Sequence, residues 1–312
     1  MDGMTPDPFL QDVLTGLAKP QKSLPSRWLY DAKGSSLFDD ITELPEYYPT
    51  RTELKILNEK APEMAAAIGR DAVIIEYGAG SLLKVRILLD ALDQPHAFVP
   101  VDISASHLQS AAKELAADYD DLTVRPIVSD FMASNLGAGL PQARGRNVGF
   151  FPGSTIGNLS DEEITRFLSN ARADLGDRAQ FIIGVDQPKS PDILIPAYDD
   201  AQGVTAAFNK NLLTRINREL SGTFDLDTFA HEARWNVEDS RIEMHLRSLA
   251  AQSVAVSGET FAFEEGETIH TENSRKIALD RFAVMAANCG WRLTREWMDD
   301  DRLFAVLMLE AA

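Results

Sequence analysis

The stretch VIIEYGAGSLLKVRILLDAL, Val73 to Leu92, decides how this chain of 312 residues is read. Val73 to Tyr77 is short, β-branched and apolar, which is strand composition. Gly78 and Gly80 interrupt it, and Leu82 to Leu92 then repeats its apolar residues at helical spacing. A buried strand, a glycine turn and a helix, in that order, form the unit with which chains hold a nucleotide-like cofactor.

The rhythm continues outward from that unit. A helix is expected from Thr50 or Thr52 through ELKILNEKAPEMAAAIG. Ala97–Asp102 reads as a strand, Ser104–Asp118 as a helix with Ser104 as candidate cap, and Leu122–Val128 and NVGFFPG as strands. Ser160 and Glu163 have capping-box spacing at the head of a helix that runs to Leu175, and AQFIIGVD is a further strand. Alternating apolar strands and helices predict an α/β fold with a parallel sheet covered on both faces. After Asp186 the pattern changes. Pro188, Pro191 and Pro196 read as a linker, Tyr198 to Leu220 as one long helix, and RIEMHLRSL, SVAVSG and TFAFEEG as antiparallel strands of period two. SRKIALDRFAVMAANCG then reads as a helix and WRLTREWMDDDRLFAVLMLE as a strand pair. The expected organisation is one α/β domain, residues 53–188 plus 276–312, carrying an inserted α+β lobe, residues 1–52 plus 189–275.

Composition narrows the function. The chain is 45% hydrophobic and 25% charged, an ordinary globular balance. Its net charge is -18 with no Lys- or Arg-rich stretch, which excludes a nucleic-acid or anionic-membrane partner because both need a basic footprint. The default partner is a small molecule, and a monomer is expected. Apolar runs such as Phe181–Val185 are far too short to span a membrane. Met1 to Leu10 carries two aspartates and no basic residue, so no secretory leader is expected and a cytoplasmic setting fits. The single Cys289 rules out an internal disulfide and reads as a packing residue. The five histidines, His96, His107, His231, His245 and His270, are scattered without an H-E-x-x-H. His231 and His245 read as packing or surface residues. No metal is expected, and no G-x-S-x-G elbow is present.

A dinucleotide turn would follow G-x-G-x-x-G, but Leu83 stands where the third glycine belongs. The E-x-G-x-G pattern suits S-adenosylmethionine, which has no phosphate, better than a nicotinamide cofactor. Asp102 ends the next strand, where a carboxylate can accept two ribose hydroxyls. Asp130 and Phe131 follow the third strand, where an acid can take the adenine amino group and a ring can stack. Lys84 can pair with the methionine carboxylate. Any one of these can be chance, but three successive strand ends together favour the methyl donor. FFPGSTIGNL, Phe150 to Leu159, offers Gly153, Ser154, Gly157 and Asn158 as small residues, exposed backbone donors and one amide. Such a loop can hold an amino acid or can be a tight structural turn, and the residues alone leave both open.

Six segments together carry a resemblance: WLYDAKGSSLFDDITELPEYYPTR, EYGAGSLLKVRILLDAL, FFPGSTIGN, YDDAQGVTAAFNKNLLTRINREL, RIEMHL and IHTENSRK. The chain resembles, over nearly its whole length, the L-histidine Nα-methyltransferases of ergothioneine biosynthesis. The resemblance implies a class I methyltransferase (Rossmann-like) sheet with an inserted substrate-binding lobe, and three methyl transfers from S-adenosylmethionine to one amine, giving the betaine hercynine. It places Gly78, Lys84, Asp102, Asp130 and Phe131 on the methyl donor, to which the reading of the turn adds Gly80. It places Asn158 and Tyr198 on the substrate's amine and carboxylate, to which the reading of the loop adds Gly153, and Tyr30 with Tyr47 or Tyr48 along the amine and imidazole, with Tyr30 and Asn158 as the catalytic groups. It places Glu272 and Ser274 on the imidazole, with Met244 packed against it. Ile277 departs from the pattern, where an aromatic is expected. The alternatives are the same chemistry on another amino acid or small amine, and a donor-binding module without turnover. On general grounds a tyrosine in EYY, Met244 in a strand and Ser274 as a helix cap are each ordinary structural residues.

Overall fold

The computed structural model describes residues 7–132 and 136–312. The first six residues of the leader expectation, and the side chain of His107, lie outside the described residues. In chain order the helices are α1 (Pro8–Leu17), α2 (Ala32–Thr42), α3 (Tyr48–Ile68), α4 (Leu83–Ala91), α5 (Ala105–Asp118), α6 (Asp161–Leu175), α7 (Pro191–Tyr198), α8 (Val204–Glu219) and α9 (Leu279–Asn288). The strands are β1 (Lys22–Ser23), β2 (Val73–Tyr77), β3 (Ala97–Asp102), β4 (Thr123–Val124), β5 (Ile127–Val128), β6 (Asn147–Phe151), β7 (Gln180–Asp186), β8 (Phe229–Asn236), β9 (Arg241–Ser248), β10 (Gln252–Val256), β11 (Glu259–Phe263), β12 (Thr268–Arg275), β13 (Trp291–Met298) and β14 (Phe304–Ala311). The chain divides into two compact units, Met1–Tyr48 with Lys189–Arg275 and Pro49–Pro188 with Lys276–Ala312.

The unit formed by Pro49–Pro188 and Lys276–Ala312 is built on one sheet of order β13-β14-β7-β6-β2-β3-β4, with β5 also paired to β3. β2 to β7 run parallel, while β14 pairs antiparallel to β7 and β13 antiparallel to β14. Alternation along each strand feeds two cores. Ile75, Tyr77, Phe151 and Phe181 pack with Phe167 of α6 and Phe282 of α9 on one face. Ile74, Phe98, Phe150 and Ile182 pack with Met64 of α3, Leu88 of α4 and Leu108 of α5 on the other. Both faces are covered, as βα alternation requires. β2 lies between β3 and β6, so the winding direction reverses there, and ligands bind beyond the strand ends at such a point. A fully buried ion pair, Lys276 Nζ to Asp186 Oδ2 at 2.7 Å, holds the returning chain to the end of β7.

The other unit has a four-stranded sheet, β1-β12-β9-β8, and a β10-β11 hairpin. β12 pairs antiparallel with β9 in register His270↔His245, but after Thr271 the register moves to Glu272↔Met244. Thr271 is therefore the extra residue of a β-bulge, and its hydroxyl donates to the Met244 carbonyl at 3.0 Å. In an unbroken strand, residues two apart share a face. The bulge instead sends His270 to one face and Glu272 with Ser274 to the other, beside Met244 and Ile242.

Four expectations are revised. The helix read as Tyr198–Leu220 is two helices, because Asp200 accepts from Val204 N at 3.1 Å and Thr205 N at 2.8 Å and so caps a new start. The proline linker contains α7, with Ser190 as N-cap and Pro191 in its first turn, where a missing N–H costs nothing. The final helix begins at Leu279, since Ser274 and Arg275 stay in β12. Leu122–Val128 is two short strands separated at Pro126, which cannot donate to a ladder. Among the described residues no helix is long and apolar enough to cross a membrane.

Candidate functional site

The donor-site residues named from the sequence gather at the strand ends of the α/β unit. Gly78 turns the chain at φ 69°, a backbone conformation that favours glycine, and Gly78 N and Ala79 N both donate to Val101 O, at 2.9 and 3.0 Å. The turn is thus pinned to β3. Beside Gly80, the place a side chain would fill is open. Asp102 Oδ1 accepts from Ser104 N at 2.8 Å and Asp130 Oδ1 from Met132 N at 2.8 Å, which orients each carboxylate at its strand end. The Phe131 ring comes 3.9 Å from where a Cβ on Gly78 would sit and leans on Phe151 and Phe167.

Two further acids stand at this turn, and both escaped the sequence reading as site residues. Glu76, the acid of E-x-G-x-G, is 3% exposed and its Oε2 has no hydrogen-bond partner among the described residues. Burial drives its pKa up to about 8; Lys84 opposes the rise, and Glu53 and Asp102 add to it. Glu53, from α3, is 1% exposed. It accepts Gly153 N–H on both oxygens, at 2.9 and 2.8 Å, and pairs with Lys84 Nζ at 2.6 Å. This corrects the sequence reading at one place: the Gly153 backbone donor is taken by Glu53, so it does not offer itself to an amino acid. Lys84 is anchored by the same acid. Asn158 closes the 3₁₀ turn Thr155–Asn158 and is half-buried. The exposed side chains of Leu83, Ile103 and Val128 follow the glycine turn and end β3 and β5.

In the other unit, a second group of named residues comes together. The Tyr30 hydroxyl donates to Glu272 Oε1 at 3.3 Å, and Tyr198 Oη and Ser274 Oγ are 2.7 Å apart. Tyr30 packs edge-on to Phe38 and Phe208, with ring centres 5.6 and 5.4 Å away. Tyr47 packs on Phe38 and on Tyr198 at 6.1 and 5.9 Å. Phe38 and Phe208 were missed as site residues, although Phe38 lies inside the WLYDAKGSSLF segment; Phe38 is half-buried and Phe208 buried, and an aromatic at either place reads as core. Tyr30 is 37% exposed as a whole, yet desolvation, then the Glu272 charge, raises its pKa well above the ordinary phenol value. Tyr47 and Tyr48 part company: Lys189 donates to the Tyr48 hydroxyl at 2.7 Å and lies 4.4 Å from its ring centre. Met244 is buried and pairs with Glu272 across the strands.

The histidines are less scattered than the sequence suggested. His245 and His270 stack with ring centres 4.8 Å apart, and the ligand-capable atoms of Glu243, His245 and His270 lie within 4.8 Å of one another. Glu243 is engaged there by Arg241 at 2.6 Å and by Asn236 at 2.9 Å. His231 lies on the opposite face of the sheet, between Asn209 Nδ2 at 2.9 Å and the Tyr198 carbonyl at 2.8 Å, so it is a packing and bracing residue.

The family model for histidine-specific, S-adenosylmethionine-dependent methyltransferases matches residues 9–311. The chain belongs to that family. It is 44% identical over 294 residues to the histidine N-alpha-methyltransferase of Mycolicibacterium smegmatis, covering 93% of this chain and 90% of that one. It is 41% identical over 295 residues to the histidine N-alpha-methyltransferase of Mycobacterium tuberculosis, covering 93% and 91%. Among solved structures, an S-adenosylmethionine-dependent methyltransferase from Clostridium acetobutylicum aligns with a TM-score of 0.53 at 10% identity, over 89% of this chain and 98% of that chain, a likeness of fold. S-adenosylmethionine is accordingly the methyl donor of this methyltransferase, and its α/β unit has the class I methyltransferase sheet. The residues of that unit suit the donor. An orphaned carboxylate oxygen on Glu76 fits a cationic ligand, and open space beside Gly80 fits close approach by the backbone.

Proposed function

We propose that this enzyme carries the α-amine of L-histidine to the trimethylated betaine hercynine, a step of ergothioneine biosynthesis, in a cytoplasmic setting. The observation that carries the histidine reading is the bulge at Thr271, which presents Glu272 and Ser274 on one strand face beside Met244. An imidazole needs an acceptor for its N–H and a partner for its other nitrogen, and a buried carboxylate with a hydroxyl two residues on supplies both. In this reading Asp102 holds the ribose hydroxyls, Asp130 and Phe131 hold the adenine, and Lys84 with Glu76 meets the charged ends of the methionine part. The unit Met1–Tyr48 with Lys189–Arg275 serves as the substrate lobe, and the α/β unit serves as the transfer domain.

The donor supplies a methyl group on a positively charged sulfur, open to in-line displacement by a neutral amine. The chain's own residues have three tasks: to aim the amine, to keep water out and to let the proton leave. Tyr30 and Tyr47 present hydroxyls that accept from the amine and leave its lone pair free. Each transfer makes one C–N bond, breaks one C–S bond and releases one proton, three in all. Tyr30 stays a neutral hydroxyl because its pKa is raised, and its own proton is directed at Glu272, so its oxygen accepts from the amine while the released protons go to water. The faces of Tyr30, Phe38 and Tyr47 tolerate the quaternary ammonium that accumulates.

The test is incubation of the pure protein with S-adenosylmethionine and a panel of amino acids, read by mass spectrometry. The reading requires three successive methyl additions to histidine. Methylation confined to another amino acid, or none, rejects it.

A further inference from the structure

Glu53 lies on α3, away from the strand-end loops where donor-binding groups usually sit, yet its carboxylate ends among them. It is 1% exposed, and a charged carboxylate at that depth needs partners. Among the described residues it is met by the Gly153 N–H on each oxygen, at 2.9 and 2.8 Å, and by Lys84 Nζ at 2.6 Å. The sheet is shaped to admit it. A Cβ on Gly184, in the middle of β7, would come within 2.2 Å of Glu53 Oε1. A glycine inside an otherwise apolar strand weakens packing and marks a close approach, and here the approaching group is this carboxylate. The two groups it holds also lie close together, for Lys84 Nζ is 3.4 Å from where a Cβ on Gly153 would sit.

We propose that Glu53 is the positioning residue of the donor site: it fixes the Lys84 ammonium and the Gly153 turn so that Lys84 meets the donor's carboxylate from one preset place. This rests on the reading of Lys84 as the group that holds that carboxylate. Lysine is a point charge on a flexible stem with three N–H donors. Glu53 takes one donor and leaves the others directed, so the stem is ordered before the ligand arrives and less freedom is lost on binding. The same contact ties the glycine turn at the head of α4 to the loop after β6, two segments that local sequence does not connect.

The experiment is calorimetric titration of the full chain with two ligands, S-adenosylmethionine and methylthioadenosine, the second of which lacks the amino-acid end. The variants are Glu53→Gln, Lys84→Met and the two combined. Glu53→Gln is expected to weaken S-adenosylmethionine roughly 10- to 30-fold while leaving methylthioadenosine within about twofold. In the Lys84→Met background the same change is expected to add less than about twofold, because its effect runs through the ammonium. Equal weakening of both ligands, or losses that multiply, would mean a general structural role and overturn the inference. A weakened Lys84→Met beside an unchanged Glu53→Gln overturns it alone. An unchanged Lys84→Met overturns the Lys84 reading and the inference with it. Should Glu53→Gln alone not fold, the double variant, which removes both charges, decides: affinity equal to Lys84→Met supports the inference, and further loss refutes it.

Discussion

The Tyr30 hydroxyl donates to Glu272 Oε1 across 3.3 Å, joining residues 242 positions apart in the chain. A pocket that reads an imidazole, the role proposed for Glu272, rejects rings that lack its nitrogens, because its own polar groups would be left unpaired. Glu272→Ala is therefore expected to cost histidine about 2–4 kcal/mol in kcat/KM and to narrow the preference for histidine over phenylalanine and tryptophan. Donor affinity should be unchanged. Steady-state kinetics on the three amino acids check this, and a folded variant that keeps the parent's ranking removes Glu272 from the imidazole.

Tyr47 and Tyr48 are adjacent but do different work. Tyr47 joins the ring group of Phe38 and Tyr198, whereas Tyr48 takes a hydrogen bond from Lys189. Tyr47→Phe is expected to lower kcat/KM for histidine by about 1–3 kcal/mol through the lost hydroxyl. Tyr48→Phe keeps the ring under Lys189 and should change kcat/KM by less than about threefold, with a small loss of stability. The opposite order of effects would assign the substrate to Tyr48.

Glu76 makes the donor-free enzyme sensitive to rising pH. Its pKa stands at about 8 against an ordinary 4.5, so across that interval the folded state keeps a proton that the unfolded state has released. Its contribution is full below 4.5 and is lost as pH climbs to 8. Urea unfolding at a series of pH values should show that decline in the parent and a flatter profile in Glu76→Gln. The cationic donor should also expel this proton, so binding enthalpy at pH 7 should depend on the buffer's own ionisation enthalpy in the parent and not in the variant. A buffer-independent parent would show that Glu76 does not face the donor's charge.

The stacked His245 and His270 give the opposite slope in acid. Burial first, then the His270 and Arg234 charges, hold His245 down at about 4 against the pull of Glu243, and His270 is lowered as well, chiefly by burial. Between pH 6.5 and 4 the unfolded chain binds protons that the folded His245 refuses, so stability present above 6.5 is lost as pH falls. His245 alone should cost about 1–2 kcal/mol between pH 7 and 5. Glu243, depressed to about 2, acts lower still, from 4.5 downward. Comparing the parent with His245→Gln at pH 7 and 5 isolates the histidine share; parallel losses would place the acid sensitivity elsewhere.

Much of the α/β unit was legible because its signals are local. Strand periodicity in VIIEY and AQFIIGVD, the Ser160–Glu163 capping box and the Asp residues at strand ends depend on neighbours a few positions away, and each lies where the sequence put it. The break at Asp199–Gly203 was passed over although its signals are local: two aspartates and a glycine, with Gly203 at φ 75° and Asp200 accepting from Val204 N and Thr205 N. Glu53, by contrast, reads as an ordinary helix acid because nothing near it in sequence marks it. Its role appears only once β7 offers Gly184 and the loop after β6 offers an N–H.

The sequence by itself determined the parallel sheet, the donor turn at Gly78 and the acids that end its strands, because backbone preference and side-chain period act within a few residues. Only the tertiary structure decided which face Glu272 shows. Residues 270, 272 and 274 would share one side of an unbroken strand, and the β9 pairing, by forcing Thr271 out of register, separates His270 from the other two. It also decided which tyrosine joins them and which acid grips Lys84. Those are meetings between residues distant along the chain, settled by packing and by the need to pair every buried charge, and neither is written into any single segment.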